Sequence, residues 1–308
     1  MRSVPSMSGL ALLMLVGGCA AGGSPTQKAA ISKPATSAAV DTAPSYLQRR
    51  AAFQTKLTRT GPSPQPGKVP RPPDLVKEVA YTSGKLELKA WVYTPPGPAD
   101  QKRPALVYFH GGFAFGPDDL EDCQSFMDAG FVVMCPMLRG ENGNPGNFEL
   151  FFGEVEDGKA AVVWLASQPY VNKDRIYTFG HSAGGGVSAV LSLLDDVPIQ
   201  HGGSAGGLYD VATFDGWSKF VPFDLTRPEE REMRVLLGNL RHMRYRHYAY
   251  IGDGDSLQAN LPKARREMTA SKTKLEILQV PGDHFRSLRP AFLAYLKVVL
   301  SSTGEGKP

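Results

Sequence analysis

From Pro104 onward the chain alternates apolar runs of about six residues with stretches of helical spacing. The runs fall at 105–109, 131–135, 175–179, 198–202, 247–251 and 275–280; helical segments at 118–129, 154–167 and 183–194 follow the first three. Further helices follow the last two runs. Short, continuously apolar strands separated by helices predict a mainly parallel sheet buried on both faces. Ahead of them, 76–81 and 86–93 read as two strands joined at Ser83-Gly84, a hairpin signal. Together these make an α/β domain with an eight-stranded sheet and helices on both faces. The rhythm breaks between about 205 and 245. That insert holds Trp217, Phe220, Phe223 and a charged stretch of helical spacing over 227–243. Lying between two strands at the sheet's carboxyl edge, it reads as a small cap, since a plain surface connection carries fewer aromatics.

The first 74 residues follow a different pattern. A lone Arg2 precedes an apolar core at 10–16, then Gly17-Gly18-Cys19. The core is too short to span a bilayer and reads as the hydrophobic region of a secretory signal. Val16-Gly17-Gly18-Cys19 resembles the bacterial lipobox, in which cleavage leaves a lipid-carrying cysteine; ordinary cleavage near Ala20 is the other reading. The lipobox reading predicts a signal peptide over 1–18 and export. It also predicts membrane anchoring to the bacterial envelope through Cys19, in the outer membrane if the cell is Gram-negative. Residues 22–44 are rich in Ala, Ser, Thr and Pro, 46–57 fits a short amphipathic helix, and a second proline-rich stretch ends at Pro73. Residues 19–74 are therefore expected to form a flexible tether, and the ordered domain to cover 75–308.

Composition narrows the function. A net charge of +4 over 308 residues is too small to suggest a nucleic-acid partner. The three cysteines, at 19, 123 and 135, form neither a disulfide framework nor a metal site. An oxidising compartment would permit a Cys123–Cys135 bond only with the two Cα atoms within about 7 Å. Cys123 lies in an expected helix and Cys135 in the strand after it, a separation that favours two buried thiols. No feature bears on oligomeric state.

The chemistry centres on Gly180-His181-Ser182-Ala183-Gly184, placed between an apolar strand and a small-residue helix. A serine so placed sits on a sharp turn with its hydroxyl exposed. It needs an imidazole to take its proton and a carboxylate to orient that imidazole. Of the six histidines, His284 in Pro281-Gly282-Asp283-His284-Phe285 follows the last strand and reaches the same edge as Ser182. The carboxylate should come from Gly252-Asp253-Gly254-Asp255. Asp255 is the better candidate because its spacing lets the loop turn back; Asp253 is the alternative, as a turn brace or helix cap. For an oxyanion, Ala183 N–H supplies one donor, and the Phe109-His110-Gly111-Gly112-Phe113 loop supplies the other through Phe113 or Gly112. His110 is expected to prop that loop.

With these motifs in the order Ser182, Asp255, His284, the stretch from about Val76 to Leu300 resembles the α/β-hydrolase superfamily. It looks most like the catalytic domain of prolyl-oligopeptidase-type serine peptidases and their stand-alone esterase relatives. Met137-Leu138-Arg139-Gly140-Glu141-Asn142-Gly143 and Pro169 to Ile176 carry that likeness. Two departures bear on substrate. Residues 22–73 do not resemble the β-propeller of those peptidases, and Ala183 replaces their usual aromatic residue. The resemblance implies a serine hydrolase acting on a small-molecule ester, or an amide or peptide, through an acyl-enzyme, without metal or organic cofactor. A catalytically silent envelope lipoprotein using the same fold for binding is the competing expectation. The arginines of the cap (Arg227, Arg231, Arg234, Arg241, Arg244, Arg246) would either select an anionic substrate or form local ion pairs on a solvated face.

Overall fold

The computed structural model describes residues 44–301 except 69, 99 and 272. The expected signal peptide, Cys19 and the first part of the expected tether lie outside the described residues. Residues from Pro44 onward belong to a single compact unit.

Eight strands form one sheet: β1 (Val76–Ser83), β2 (Leu86–Tyr93), β3 (Arg103–Phe109), β4 (Val132–Pro136), β5 (Val171–His181), β6 (His201–Ala205), β7 (Arg246–Gly252) and β8 (Leu275–Val280). Their spatial order is β1-β2-β4-β3-β5-β6-β7-β8. The hairpin partner β2 pairs antiparallel with both β1 and β4, and every other pairing is parallel. Helices α1 (Tyr46–Ala52), α2 (Pro117–Glu121), α3 (Gln124–Asp128), α4 (Gly153–Ala166), α5 (Ser182–Leu191), α6 (Thr213–Gly216), α7 (Pro228–Glu232), α8 (Leu261–Ala270) and α9 (Leu288–Ser301) complete the domain.

Alternation along the central strands divides the core. In β3, Ala105, Val107 and Phe109 point to the layer holding Val155, Val162 and Val187 of α4 and α5. Leu106 and Tyr108 point to the other layer, with Phe126 of α3 and Phe292 and Tyr295 of α9. Both faces are dry, which is why these strands read as continuous apolar runs. Cys123 and Cys135 are buried free thiols. Burial, followed by the neighbouring Cys135, raises the Cys123 thiol well above its ordinary range.

Three expected elements differ. The strand expected at 198–202 is β6, three residues later. Pro198 has no N–H to donate, and a Cβ at Gly203 would press on Phe179 and Tyr295, so the strand is built from small residues under aromatic ones. The expected helix over 118–129 breaks at Cys123 into α2 and α3. The stretch 227–243 is helical only over α7 and a single 3-10 turn at Leu240–His242. There Asn239 Nδ2 donates to the carbonyls of Glu232 and Val235 at 2.9 and 3.1 Å, and Gly238 takes φ +93°.

The tether expectation fails from Tyr46 onward. Ser45 and Gln48 form a reciprocal capping box that starts α1. Fully buried Tyr46 donates to Met233 O at 2.7 Å. Arg50 donates to Met233 O at 2.9 Å and to Glu156 Oε1 at 2.7 Å. Leu57 makes a bridge with Phe223 of the insert, Ser63 N–H donates to Gly140 O at 3.0 Å and Phe148 N–H to Gly61 O at 2.9 Å. The short helix expected over 46–57 is α1, with Tyr46, Leu47 and Phe53 against the core, and the proline-rich stretch after it is held mainly through backbone and buried polar groups.

Candidate active site

Strand β5 ends at His181, and α5 begins at Ser182 with the backbone in the left-handed region, φ +51°. Such a conformation costs a non-glycine residue about 1–2 kcal/mol and is held by close packing around it. A Cβ at Gly180 would strike Gly184 O, and one at Gly184 would strike the carbonyls of Phe109 and His110. Gly184 N–H donates to His110 O at 3.1 Å, tying the elbow to the loop after β3. Ala183 N–H lies in the first turn of α5, where amides have no intrahelical acceptor.

His284 follows β8 and faces the same cavity as Ser182. Its Nδ1 lies 2.9 Å from Asp255 Oδ2. Asp255 is buried, and its other oxygen accepts Leu257 N–H at 2.9 Å, so both oxygens are fixed. Asp253 instead accepts Gly282 N–H at 2.9 Å, bracing the turn ahead of His284. Of the two aspartates weighed from the sequence, Asp255 is the one beside the imidazole.

His181 contributes a contact that the sequence did not suggest. Its Nε2 sits 2.9 Å from the carbonyl oxygen of His284 and donates to it, since the acceptor is a carbonyl. Burial lowers the His181 pKa, which suits a neutral ring carrying its proton at Nε2. The position inside the pentapeptide was its only signal.

His110 sits behind the glycine loop as a prop. Its Nε2 lies 3.0 Å from Glu141 Oε2, both side chains being buried, and Nδ1 faces Gly111 O at 3.0 Å. Burial pulls the imidazole down, but the Glu141 charge and hydrogen bond outweigh it and raise the pKa to about 10. Both ring nitrogens face oxygen atoms, an arrangement that suits a protonated His110 ring. Glu141 also accepts Leu138 N–H at 2.8 Å, which joins the loop after β4 to the one after β3.

A cavity of about 840 Å³ opens above Ser182 and His284. Gly111, Gly112 and Phe113 form one wall; Trp217 and Phe220 of the insert and the exposed Phe285 form others. Phe113 meets Trp217 edge-on at 5.2 Å. Pro64, Gln65 and Pro66 close a further side, and Gln65 Oε1 accepts Phe113 N–H at 3.0 Å. None of these three was marked by the sequence. Asp119 and Asp122 also line the cavity, and burial raises both, Asp122 to about 6. No arginine of the insert does. Arg227 and Arg234 pair with Glu230, Arg231 with Asp215, Arg244 with Asp195 and Arg246 with Glu276, while Arg241 donates to His242 Nε2 at 3.2 Å. The expected ion pairs are present, but Arg234 and Glu230 are fully buried rather than on a solvated face. Among the described residues no cluster of His, Cys, Asp or Glu is arranged to hold a metal.

Sheet order, elbow and loop placement define an α/β-hydrolase fold. A family model described as X-Pro dipeptidyl-peptidase (S15 family) matches residues 83–200, the part that contains the elbow. The chain is 30% identical over 160 residues to the uncharacterized peptidase YtmA of Bacillus subtilis (strain 168), covering 52% of this chain and 57% of that protein. It thus spans little over half the length of this curated relative. Among solved structures, an esterase from Thermogutta terrifontis has a TM-score of 0.59 at 18% identity, over 76% of this chain and 97% of that one. The acylaminoacyl peptidase of Pyrococcus horikoshii has a TM-score of 0.57 at 18% identity, over 73% and 40%. Dipeptidyl peptidase 4 of Porphyromonas gingivalis has a TM-score of 0.60 at 18% identity, over 73% and 35%.

Proposed function

We propose that the protein is a serine hydrolase that cleaves carboxylic esters. The observation that carries this reading is that Ser182 and His284 line one cavity while buried Asp255 lies 2.9 Å behind His284 Nδ1. Asp255 fixes the tautomer that leaves His284 Nε2 free to take the Ser182 proton. The Ser182 oxygen attacks the substrate carbonyl, and the oxyanion rests on Ala183 N–H and on Gly112 or Phe113 N–H. His284 then protonates the leaving alcohol. Water, activated by the same imidazole, releases the acid and restores the serine. Each proton taken by His284 is returned, so the cycle closes without a metal or organic cofactor.

The aromatic and proline walls favour an apolar acyl or leaving group, and Ala183 supports esters over peptides. Peptide amides form the second reading, supported by the match to the S15 peptidase model. A fluorophosphonate probe should label wild type and leave Ser182→Ala unlabelled. A panel of short-chain nitrophenyl esters, sugar acetates and peptide amides then separates the two substrate classes. Equal ester rates in wild type and Ser182→Ala would favour the silent binding protein instead. For location, the lipobox-like Val16 to Cys19 supports an exported enzyme anchored by lipid on Cys19. Replacing Cys19 with Ala should move the protein out of the membrane fraction.

A further inference from the structure

The segment before the sheet lines the active-site cavity with Pro64, Gln65 and Pro66, and Gln65 is the one whose side chain bonds the glycine loop. Residues 61–68 are pinned on both sides. Gly61 N–H donates to Asn147 Oδ1 at 3.0 Å, Ser63 N–H to Gly140 O at 3.0 Å, and Asn142 Nδ2 to Lys68 O at 2.8 Å. Ser63 Oγ donates to the Phe113 carbonyl. Pro64 and Pro66 flank Gln65 and restrict its backbone, so the carboxamide is presented from a held position. Its Oε1 accepts Phe113 N–H at 3.0 Å. Gly112, at φ +70°, leaves no side chain in the way; a Cβ there would lie 2.8 Å from the same oxygen.

A carboxamide oxygen is the same kind of acceptor as the carbonyl of an ester or amide substrate. Here it occupies Phe113 N–H, one of the two loop amides that the proposed reaction offers to the oxyanion. We infer that Gln65 is a specificity-determining residue of this site, an internal acceptor that competes with the substrate carbonyl for Phe113 N–H. The inference rests on the serine hydrolase reading. Gln65 is solvent-exposed, so its side chain can turn away without opening a buried hole. A neutral substrate carbonyl meets an equal competitor, whereas a developing oxyanion makes a charge-assisted bond and wins the donor. The contact therefore weakens ground-state binding of poor acceptors more than it opposes the transition state.

Gln65→Met keeps the length of the side chain and removes the acceptor; Gln65→Glu makes the acceptor stronger. With fluorophosphonate labelling at pH 8, Gln65→Met should react about two- to tenfold faster than wild type, the span of one net hydrogen bond, and Gln65→Glu should react more slowly than wild type by at least as much. With a nitrophenyl ester, the gain in Gln65→Met should appear as a lower KM at nearly constant kcat. A residue that merely braces the loop would slow Gln65→Met and leave Gln65→Glu near the wild-type rate, and Gln65→Met labelling at or below the wild-type rate overturns the inference. If labelling persists in Ser182→Ala, or wild type is not labelled, the hydrolase reading itself fails and the inference with it. Labelling that depends on Ser182 but ignores Gln65 overturns the inference alone.

Discussion

Replacing Glu141 with Gln tests the buried pair behind the glycine loop, and the structure sets both the size of the effect and its dependence on pH. In the folded protein the His110 pKa is raised to about 10; in the unfolded chain it returns to about 6.5. At about 1.4 kcal/mol per pH unit, that rise bounds the contribution at about 5 kcal/mol. Removing one partner of a buried pair typically costs about 3–5 kcal/mol, which agrees. A group whose folded pKa is raised stabilises fully below the unfolded value and loses that stabilisation as pH climbs to the folded value. Wild type should therefore exceed Glu141→Gln by about 3–5 kcal/mol near pH 6.5, and the gap should shrink steadily towards pH 10. Urea unfolding of both proteins at pH 6.5, 7.5, 8.5 and 9.5 reads the gap directly. A gap that stays constant across this range would show that His110 is not an imidazolium paired with Glu141, and the reasoning would be wrong.

Asp255→Asn should reduce turnover of an ester by about 10³–10⁴-fold, because the amide presents the wrong tautomer to His284. Asp253→Asn, which disturbs only a turn, should keep the rate and cost about 1 kcal/mol of stability at most; steady-state kinetics and thermal unfolding of the two variants check the contrast. Arg234→Leu leaves Glu230 buried without its 2.8 Å partner and should cost about 3–5 kcal/mol in urea unfolding. A loss below 1 kcal/mol would mean that Thr55 and Lys56 satisfy Glu230 by themselves. Gly184→Ala, forced against the Phe109 and His110 carbonyls, should destabilise by about 1–3 kcal/mol or more and slow fluorophosphonate labelling beyond what unfolding accounts for.

The sheet was legible because parallel strands covered on both faces leave continuous apolar runs, as in Ala105 to Phe109. The elbow was legible because its turn demands small residues, and Gly180 and Gly184 are where a Cβ would meet backbone. Asp255 and His284 could be placed by topology alone, since both follow strands that end at the same edge. Spacing favoured Asp255 over Asp253, and the turn geometry gives the reason: both follow β7, but Asp253 accepts Gly282 N–H while Asp255 faces His284 Nδ1. Strand β6 slipped because Gly202 and Gly203 carry no apolar signal: a Cβ at Gly202 would press on His247, Thr178 and Ser192, and one at Gly203 on Phe179 and Tyr295. The cap helix was overestimated because Arg234 looks like a surface residue in sequence, yet it is fully buried against Glu230 and Thr55.

The segment before the sheet shows why composition misleads here. A proline-rich stretch cannot bury an apolar stripe, so by composition it reads as linker. Residues 44–68 are ordered by another route. Tyr46 and Arg50 share the Met233 carbonyl, Thr55 Oγ1 and Lys56 N–H donate to Glu230 at 2.8 and 2.7 Å, and Ser63 and Asn142 clasp the loops on either side. Such contacts repeat at no period, and each depends on a partner at least 50 positions away in the chain. The local sign was the amphipathic spacing over 46–57, whose first part is α1 behind the Ser45–Gln48 capping box. Because this segment also carries Pro64, Gln65 and Pro66 into the cavity, the wall that faces the substrate is built partly from residues outside the hydrolase sheet. Substrate selection in this protein should therefore follow changes at 63–67 as closely as changes in the insert, although only the insert announces itself by its aromatics.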